Sequence, residues 1–316
     1  MAPDSGSVSH VPAALQGISF IERGWLSSNN VLLHGAPGEG STLVDTGHCK
    51  HAAQTLALVR HALGEEPLAR IINTHLHSDH CGGNALLKRE FGAPILIPPG
   101  QWDAARAWDE DALSYRATRQ RCERFRPDAQ IVPGDAIAVG GRRWEVIAAP
   151  GHDPNAVMFF DAQHGVLISA DALWANGFGV VFPELEGVCA FDDVAAVLDL
   201  IERLPVQWVL PGHGAPFQDV GPSLARARSR LASFRADPAR HDRHAAKVLL
   251  KYHLLEEGQQ VIDDLRAWFA STPLLQRMQR RMNAPPQSLE TWCDALVAEL
   301  VAAGALVVRD GVICNE

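Results

Sequence analysis

The chain has 316 residues, enough for one large domain and a small one, and its composition, 47% hydrophobic and 21% charged, is that of an ordinary globular protein. No apolar run approaches the roughly 18–20 residues that span a bilayer, and the polar, Ser-rich residues 1–10 do not resemble a signal peptide, so we expect a cytoplasmic protein with no membrane partner. The formal net charge of −9 disfavours nucleic acid as a partner, because phosphate backbones are also negative.

Short strands and helices alternate over the first 220 residues. Apolar patterns predict two strands within 18–33, joined by a polar turn at 27–30. Further strands are predicted at 42–44, 71–72, 94–97, 136–139, 144–148, 157–160, 166–169 and 208–210. Helical spacing predicts helices at 51–63, 85–91, 101–108 and 193–204. The charged segment 109–126 is expected to form an ordered loop or helix over a site. Strands that come as hairpins and alternate with helices indicate layered sheets covered by helices.

The composition changes near residues 220–240. Residues 221–316 hold thirteen Lys and Arg against eleven Asp and Glu, a charge of +2, which leaves −11 for residues 1–220. Helices are predicted near 243–257 and 259–270, followed by an amphipathic helix at 288–303 and a hairpin of 306–308 with 312–314. Three helices and a hairpin resemble a winged helix. We therefore predict a large domain at 1–220 and a small helical, winged-helix-like domain at 221–316.

A winged helix raises the question of nucleic-acid binding. Its last helix, however, exposes acidic residues that would repel phosphates, namely Glu290, Asp294 and Glu299. The compact basic cluster of this region consists of Arg277, Arg280 and Arg281. One short cluster is too little for binding dominated by phosphate contacts. We expect this region instead to shape or cover a substrate pocket, or to pair two subunits of a homodimer.

The strongest functional signal is the sequence His75-Leu76-His77-Ser78-Asp79-His80, directly after a short apolar strand. Because alternate residues of an extended chain share a face, His75 and His77 can point to the same side. The turn that follows then brings Asp79 and His80 towards a second position. Imidazole and carboxylate groups suit zinc, iron and manganese, so this cluster predicts metal binding.

Three more side chains that can bind metal stand at the ends of predicted strands. They lie in Pro150-Gly151-His152, in Ser169-Ala170-Asp171 and in Pro211-Gly212-His213-Gly214. Each has small neighbours that permit close approach of another group. A Gly-His pair at a strand end is by itself an ordinary turn, but the three in this order after the histidine cluster are specific.

This pattern of HxHxDH, a later Gly-His, an Asp at a strand end and a final Gly-His resembles the metallo-β-lactamase superfamily. The resemblance covers residues 17–217, including the Asp-Thr-Gly turn at 45–47, and is greatest to the glyoxalase II-like hydrolases. It implies an α/β fold, an αββα sandwich with two metal ions at one edge. The implied ligands of the first metal are His75, His77 and His152, and those of the second are Asp79, His80 and His213. Asp171 would bridge the two metals, and Asp45 would orient the ligand loop.

The implied chemistry is hydrolysis by two divalent cations, with zinc expected and iron or manganese as alternatives. The metals would share a hydroxide. Asp79 would orient this hydroxide and move the hydroxide's proton. The predicted enzyme is therefore a dinuclear metal-dependent hydrolase of a small molecule, attacking the carbonyl of a thioester, ester or lactone. Two alternatives stay open: an endoribonuclease or phosphodiesterase of the same fold, and a mononuclear-iron persulfide dioxygenase.

Two departures from the glyoxalase II-type pattern leave the substrate open. Asp153-Pro154-Asn155 follows His152 where those enzymes carry a Thr-x-Gly run, and no clear basic cluster matches their glutathione-carboxylate site. Cys81 follows a ligand and is expected to point away from the metals. Five aromatic residues are candidates to line the pocket, with core packing as the alternative: Trp102, Trp108, Tyr115, Trp174 and Phe178.

Overall fold

Two β-sheets packed face to face form the centre of the molecule in the computed structural model, which describes residues 12–282 and 288–315. The first sheet runs in the order β1 (Ile18–Ile21), β2 (Asn30–Leu33), β3 (Ser41–Val44), β4 (Leu68–Ile72), β5 (Ile95–Ile97) and β6 (Ala129–Gln130). The second runs in the order β7 (Ala136–Val139), β8 (Arg142–Ala148), β9 (Val157–Asp161), β10 (Val166–Ala170) and β11 (Trp208–Pro211). The polar start at residues 1–10 lies outside the described residues.

The burial of each strand follows from its place in the second sheet. Every residue of β9 and β10 is buried, as expected of strands covered on both faces, and both are mainly apolar, with Asp161 at the end of β9 and Ser169 near the end of β10. In β8 buried and exposed residues alternate, because its outer face meets solvent. The β7–β8 hairpin turns at Gly140 and Gly141, whose φ angles of 60° and 75° disfavour residues with a side chain.

Helices cover the outer face of each sheet. Over the first sheet lie α1 (Ala52–Leu63), α2 (Ser78–Cys81), α3 (Asn84–Phe91), α4 (Trp102–Ala107) and α5 (Tyr115–Thr118). Beside the second sheet lie α6 (Phe182–Glu186), α7 (Phe191–Arg203) and α8 (Val220–Ala236). Apolar cores fill the space between the sheets and beneath both helix layers. The predicted αββα sandwich is therefore confirmed. Of the charged segment 109–126, only α5 is a regular helix; the rest is loop.

Strand direction decides where the site forms. Strands β3 and β4 run parallel, as do β10 and β11, and β8 and β10 are both antiparallel to β9. The carboxyl ends of these five strands therefore meet at one edge of the sandwich. The segments that follow them hold every predicted metal ligand.

The last part of the chain forms a separate apolar cluster. Its elements are α9 (Pro238–Glu257), β12 (Gln259–Val261), α10 (Ile262–Ser271), α11 (Pro273–Arg281), α12 (Leu289–Ala302), β13 (Leu306–Arg309) and β14 (Val312–Asn315). The helix predicted at 259–270 begins later, because residues 259–261 pair with β14 and form a strand. The three strands lie in the order β12-β14-β13. The winged-helix assignment stays a prediction.

Helix α8 links the two parts of the molecule. It packs on α7, with Leu224, Leu231 and Phe234 in the core beside the second sheet. It lies beyond residue 220, so this helix of the predicted second domain contributes to the core of the first; the domain division stays a prediction. Among the described residues, no helix is both long and apolar enough to cross a membrane.

Candidate metal centre

Asp45 holds the loop that contains four of the predicted ligands. It directly follows β3 and has a left-handed backbone, with φ 58°. Its Oδ1 accepts a hydrogen bond from the Thr74 backbone N–H at 2.9 Å, and its Oδ2 accepts from Thr74 Oγ1 at 2.8 Å. His80 Nδ1 donates to the same Oδ2 at 2.8 Å. This buried carboxylate fixes the ring orientation of His80 and turns Nε2 towards the site.

Three imidazole nitrogens converge at the first predicted metal position. His77 Nδ1 lies 3.1 Å from His75 Nε2 and 2.8 Å from His152 Nε2. His152 donates its Nδ1 proton to the Val180 carbonyl oxygen at 2.6 Å, so its Nε2 keeps a lone pair for the site. Burial, with neighbouring imidazoles, lowers the pKa of His77 to about 3 and that of His75 well below 6.5. Neutral, convergent imidazoles are the form that binds a metal ion.

The second predicted position is formed by Asp79, His80 and His213. His213 Nε2 lies 3.1 Å from Asp79 Oδ2, and His80 Nε2 lies 3.7 Å from the same oxygen. Among the described residues, His80 Nε2 is buried without a hydrogen-bond partner, which a metal ion would satisfy. Burial by itself would raise the pKa of Asp79, but His80 and His213 outweigh it and lower that pKa to about 2. Asp79 is therefore a carboxylate at neutral pH.

Asp171 lies between the two positions and faces both. Its Oδ1 is 3.4 Å from His80 Nε2, and its Oδ2 is 3.4 Å from His152 Nε2. A carboxylate with one oxygen towards each group is suited to bridge two metals. Glycine at 212 makes this approach possible, because a Cβ there would lie 2.2 Å from Asp171 Oδ1.

The structure thus brings all seven predicted ligands together, five histidines and two aspartates, at most 8% exposed each. This donor set suits zinc, iron or manganese. The orphaned His80 nitrogen and the two-sided Asp171 carboxylate both fit a pair of metal ions. The assignment of each ligand to one metal stays a prediction.

A pocket of about 620 Å³ opens above these ligands. Trp25, Trp174 and Phe182 form part of its lining. A second part, here called the helical wall, consists of residues on α8 and α9: Arg230, His244, Lys247, Val248, Leu249, Lys251, Tyr252 and Leu255. Most of the pocket lining is apolar, as in sites for small molecules.

Of the aromatic candidates from the sequence, only Trp174 lines this pocket. Its indole N–H donates to Asp171 Oδ1 at 3.3 Å. Phe178 is buried behind the site, and the other three are Trp102, Trp108 and Tyr115, which pack in or against the core under the first sheet. As expected, Cys81 points away from the ligands, with Sγ 3.2 Å from the Tyr115 hydroxyl, and all six cysteines are free.

Neither Trp25 nor the helical wall was predicted from the sequence. Trp25 is 60% exposed and stacks flat on the His213 ring, with centroids 5.3 Å apart. No local motif marks this residue. The helical wall did leave a signal, because its α9 members other than Leu249 follow a spacing of three and four residues, from His244 to Leu255. That spacing could have identified a face of α9 that lines a site.

Comparison with known proteins agrees with this geometry. The family model for the metallo-beta-lactamase superfamily matches residues 23–213, more than half of the chain. The chain belongs to this superfamily. Among solved structures, TTHA1623 in a di-iron-bound form is 25% identical, with a TM-score of 0.53, over 66% of this chain and 98% of that one.

Two curated relatives of this superfamily member have named activities. A hydroxyacylglutathione hydrolase from Ectopseudomonas mendocina (strain ymp) is 31% identical over 44% of the chain and 45% of that protein. The acyl-coenzyme A thioesterase MBLAC2 from Gallus gallus is 27% identical over 48% of the chain and 57% of that protein. The chain thus spans about half the length of the curated relatives it matches.

Proposed function

We propose that this chain is a dinuclear metal-dependent hydrolase of small-molecule thioesters. The observation that carries the proposal is the position of the pocket, which is mostly apolar and has both predicted metal positions at its floor. The two named relatives support it, because a hydroxyacylglutathione hydrolase and an acyl-coenzyme A thioesterase both cleave thioesters. Esters and lactones have the same electrophilic carbonyl and are the nearest further substrates.

Two bound divalent metals would supply a water-derived nucleophile at neutral pH and polarise the carbonyl oxygen. The chain itself supplies orientation. Asp79 presents an ionised carboxylate beside His213 and can accept a proton near the reacting carbon. Tyr252 lines the pocket with its hydroxyl 2.9 Å from Ser78 Oγ, and burial raises its pKa well above 10, so it stays a hydrogen-bond donor. Trp25, Trp174 and Phe182 exclude water from an apolar acyl group.

The pocket argues against a phosphodiester polymer as the substrate. Among the described residues that line it, three are cationic, Arg230, Lys247 and Lys251, and the apolar side chains are far more numerous. Tracking a nucleic-acid backbone needs several clustered cations and gives binding that weakens steeply with salt. In addition, Arg277 pairs with Glu186, and Arg281 donates to the carbonyl oxygens of Glu184 and Leu185, so part of the predicted basic cluster is engaged within the chain.

The test is a substrate panel on the full chain, reconstituted separately with zinc, iron and manganese. The panel contains an acyl-coenzyme A, a hydroxyacylglutathione, a lactone, an aryl ester, short RNA and glutathione persulfide with oxygen. We expect two metal equivalents per chain and thioester hydrolysis with kcat/KM of about 10⁴ M⁻¹ s⁻¹ or more. Turnover of RNA alone, or oxygen uptake with persulfide alone, would contradict the proposal in favour of the nuclease or the dioxygenase.

A further inference from the structure

Arg230 occupies a defined place in the pocket. It lies on α8, is partly buried, and lines the same cavity as His152, Asp171 and His213. Its guanidinium lies against Gly177, in the loop after Asp171, where a Cβ would lie 2.5 Å from Nη1. Glycine at 177 therefore leaves room for this guanidinium in the lining of the pocket that contains the metal ligands.

The guanidinium of Arg230 has no hydrogen-bond or ion-pair partner among residues 12–282 and 288–315. Its neighbours on the same helix do have partners. Arg226 donates to the Ala175 carbonyl oxygen at 2.8 Å, and Arg228 pairs with Glu202 and Asp199 on the outer face of α8, both at 2.8 Å. The guanidinium is only partly buried and lines the pocket, so its N–H donors are open to solvent and available to a ligand that enters there.

The surroundings of Arg230 favour an anion. Among the described residues lining the pocket, the acidic ones are Asp79 and Asp171, both in the metal-ligand groups. Burial lowers the pKa of Arg230, and no carboxylate offsets that effect. Burial, and then the charges of Arg230 and Lys247, lower the pKa of His244 to about 4, so His244 is neutral at neutral pH and the positive charge here comes from the other two residues. Of the two cations beside His244, Lys247 is already paired with Glu299, whereas Arg230 has no ion-pair partner among the described residues.

We propose that Arg230 is a specificity-determining residue that binds a carboxylate or phosphate of the substrate. The substrate would then combine an apolar acyl group, a thioester over the metal centre and one anionic group. A guanidinium donates two parallel hydrogen bonds to a carboxylate or a phosphate. A neutral thioester lacks the pair of charged oxygen acceptors that this arrangement needs. The inference rests on the proposed function for the thioester, but the anion site itself can be tested without turnover.

The first experiment measures binding of a probe that cannot be hydrolysed. The probe is 3-(octylthio)propanoic acid, and its neutral methylamide is the comparison ligand; both are titrated by calorimetry into the metal-loaded full chain. The variants are Arg230→Met, which keeps an apolar stem beside Gly177, and Arg230→Lys, with Arg228→Met as the control from the same helix. We expect Arg230→Met to weaken binding of the acid about 10- to 100-fold and Arg230→Lys less, as for loss of a charge-assisted pair. The methylamide should bind all four proteins equally.

The second experiment compares hydrolysis of an octanoyl thioester of a carboxylated or phosphorylated thiol with that of octanoyl N-acetylcysteamine. Arg230→Met should raise KM about 10- to 100-fold for the anionic thioesters only, and the preferred anion is the one with the larger change. Equal losses with acid and methylamide, or none with either, would overturn the anion site even if thioesters are hydrolysed. Binding of the acid that depends on Arg230, without any thioesterase activity, would support the anion site and refute the proposed function.

Discussion

The two sides of the pocket are built differently. At the metal centre, short segments after strand ends place seven polar side chains that are almost fully buried. His80 and His152 each have one ring nitrogen held by a hydrogen bond, to Asp45 and to the Val180 carbonyl, which leaves the other nitrogen facing the site. The helical wall consists of two long helices with apolar side chains and a few cations. Three of its polar side chains each contact a separate partner: Tyr252 contacts Ser78, Lys247 pairs with Glu299, and Lys251 donates to the Ala305 carbonyl oxygen.

This difference separates chemistry from specificity. A reactive centre requires ligands fixed to within a fraction of an ångström, and buried hydrogen-bond networks provide that. A substrate-binding wall requires shape and a few charges, so it tolerates substitution. We therefore expect changes at the metal centre to abolish the reaction, and changes in the helical wall to alter which molecules react.

The largest effect is expected from His75→Ala. His75 contributes to two of the three ligand groups, so its loss removes a nitrogen that no neighbour replaces. Metal content should fall below two equivalents, and activity should fall at least about 10³-fold while the fold persists. Elemental analysis, circular dichroism and kinetics measure these outcomes. His61→Ala, on the exposed face of α1, is the control and should behave as the wild type. Full activity in the His75 variant would refute the ligand assignment.

A change far from the metals should loosen the helical wall. Phe269 on α10 is fully buried and packs edge-on against Trp292, with ring centroids 5.3 Å apart. Phe269→Ala should reduce the free energy of unfolding by about 3–5 kcal/mol. In the folded enzyme we expect a higher KM with unchanged metal content. Thermal unfolding and metal analysis test this expectation. The control is Val301→Ala, at an exposed position on α12, which should change the free energy of unfolding by less than about 0.5 kcal/mol. Metal loss at temperatures where Phe269→Ala is folded would show that the two sides are coupled.

The smallest of the three effects is expected from Asp45→Asn. In the wild type, His80 Nδ1 donates to the Asp45 carboxylate. The asparagine amide keeps an acceptor for the Thr74 N–H but presents an N–H donor to His80 Nδ1. The imidazole would then favour a proton on Nε2, the nitrogen that faces the site. Metal affinity at the second position should fall about 10- to 100-fold, with the first position little changed. Competition with a chelator resolves the two affinities, and Asp128→Asn, which removes a charge paired with Lys88, is the control. Equal affinity in the Asp45 variant would show that tautomer selection is unimportant.

Much of the metal centre could be predicted from the sequence. The ligands lie in a compact motif and at strand ends, and alternation along an extended chain already places His75 and His77 on one side. Parallel strands must end at the same edge, so the later ligands could be expected there too. The αββα architecture also followed from the pattern of strands and helices, together with the family resemblance that the motif indicated.

Only the tertiary structure placed Arg230 and Trp25 in the same pocket, about 200 positions apart along the chain. Arg230 is one of several arginines on α8, and the spacing of these arginines does not reveal which one lines the pocket. That choice depends on how α8 packs against α7 and on the close approach permitted by Gly177. Likewise, residues 259–261 became a strand because β14, more than fifty residues later, offers a free edge to pair with. Local spacing in the sequence determined which side chains form the metal-ligand set. Long-range packing decided the shape and the charge of the pocket around that set.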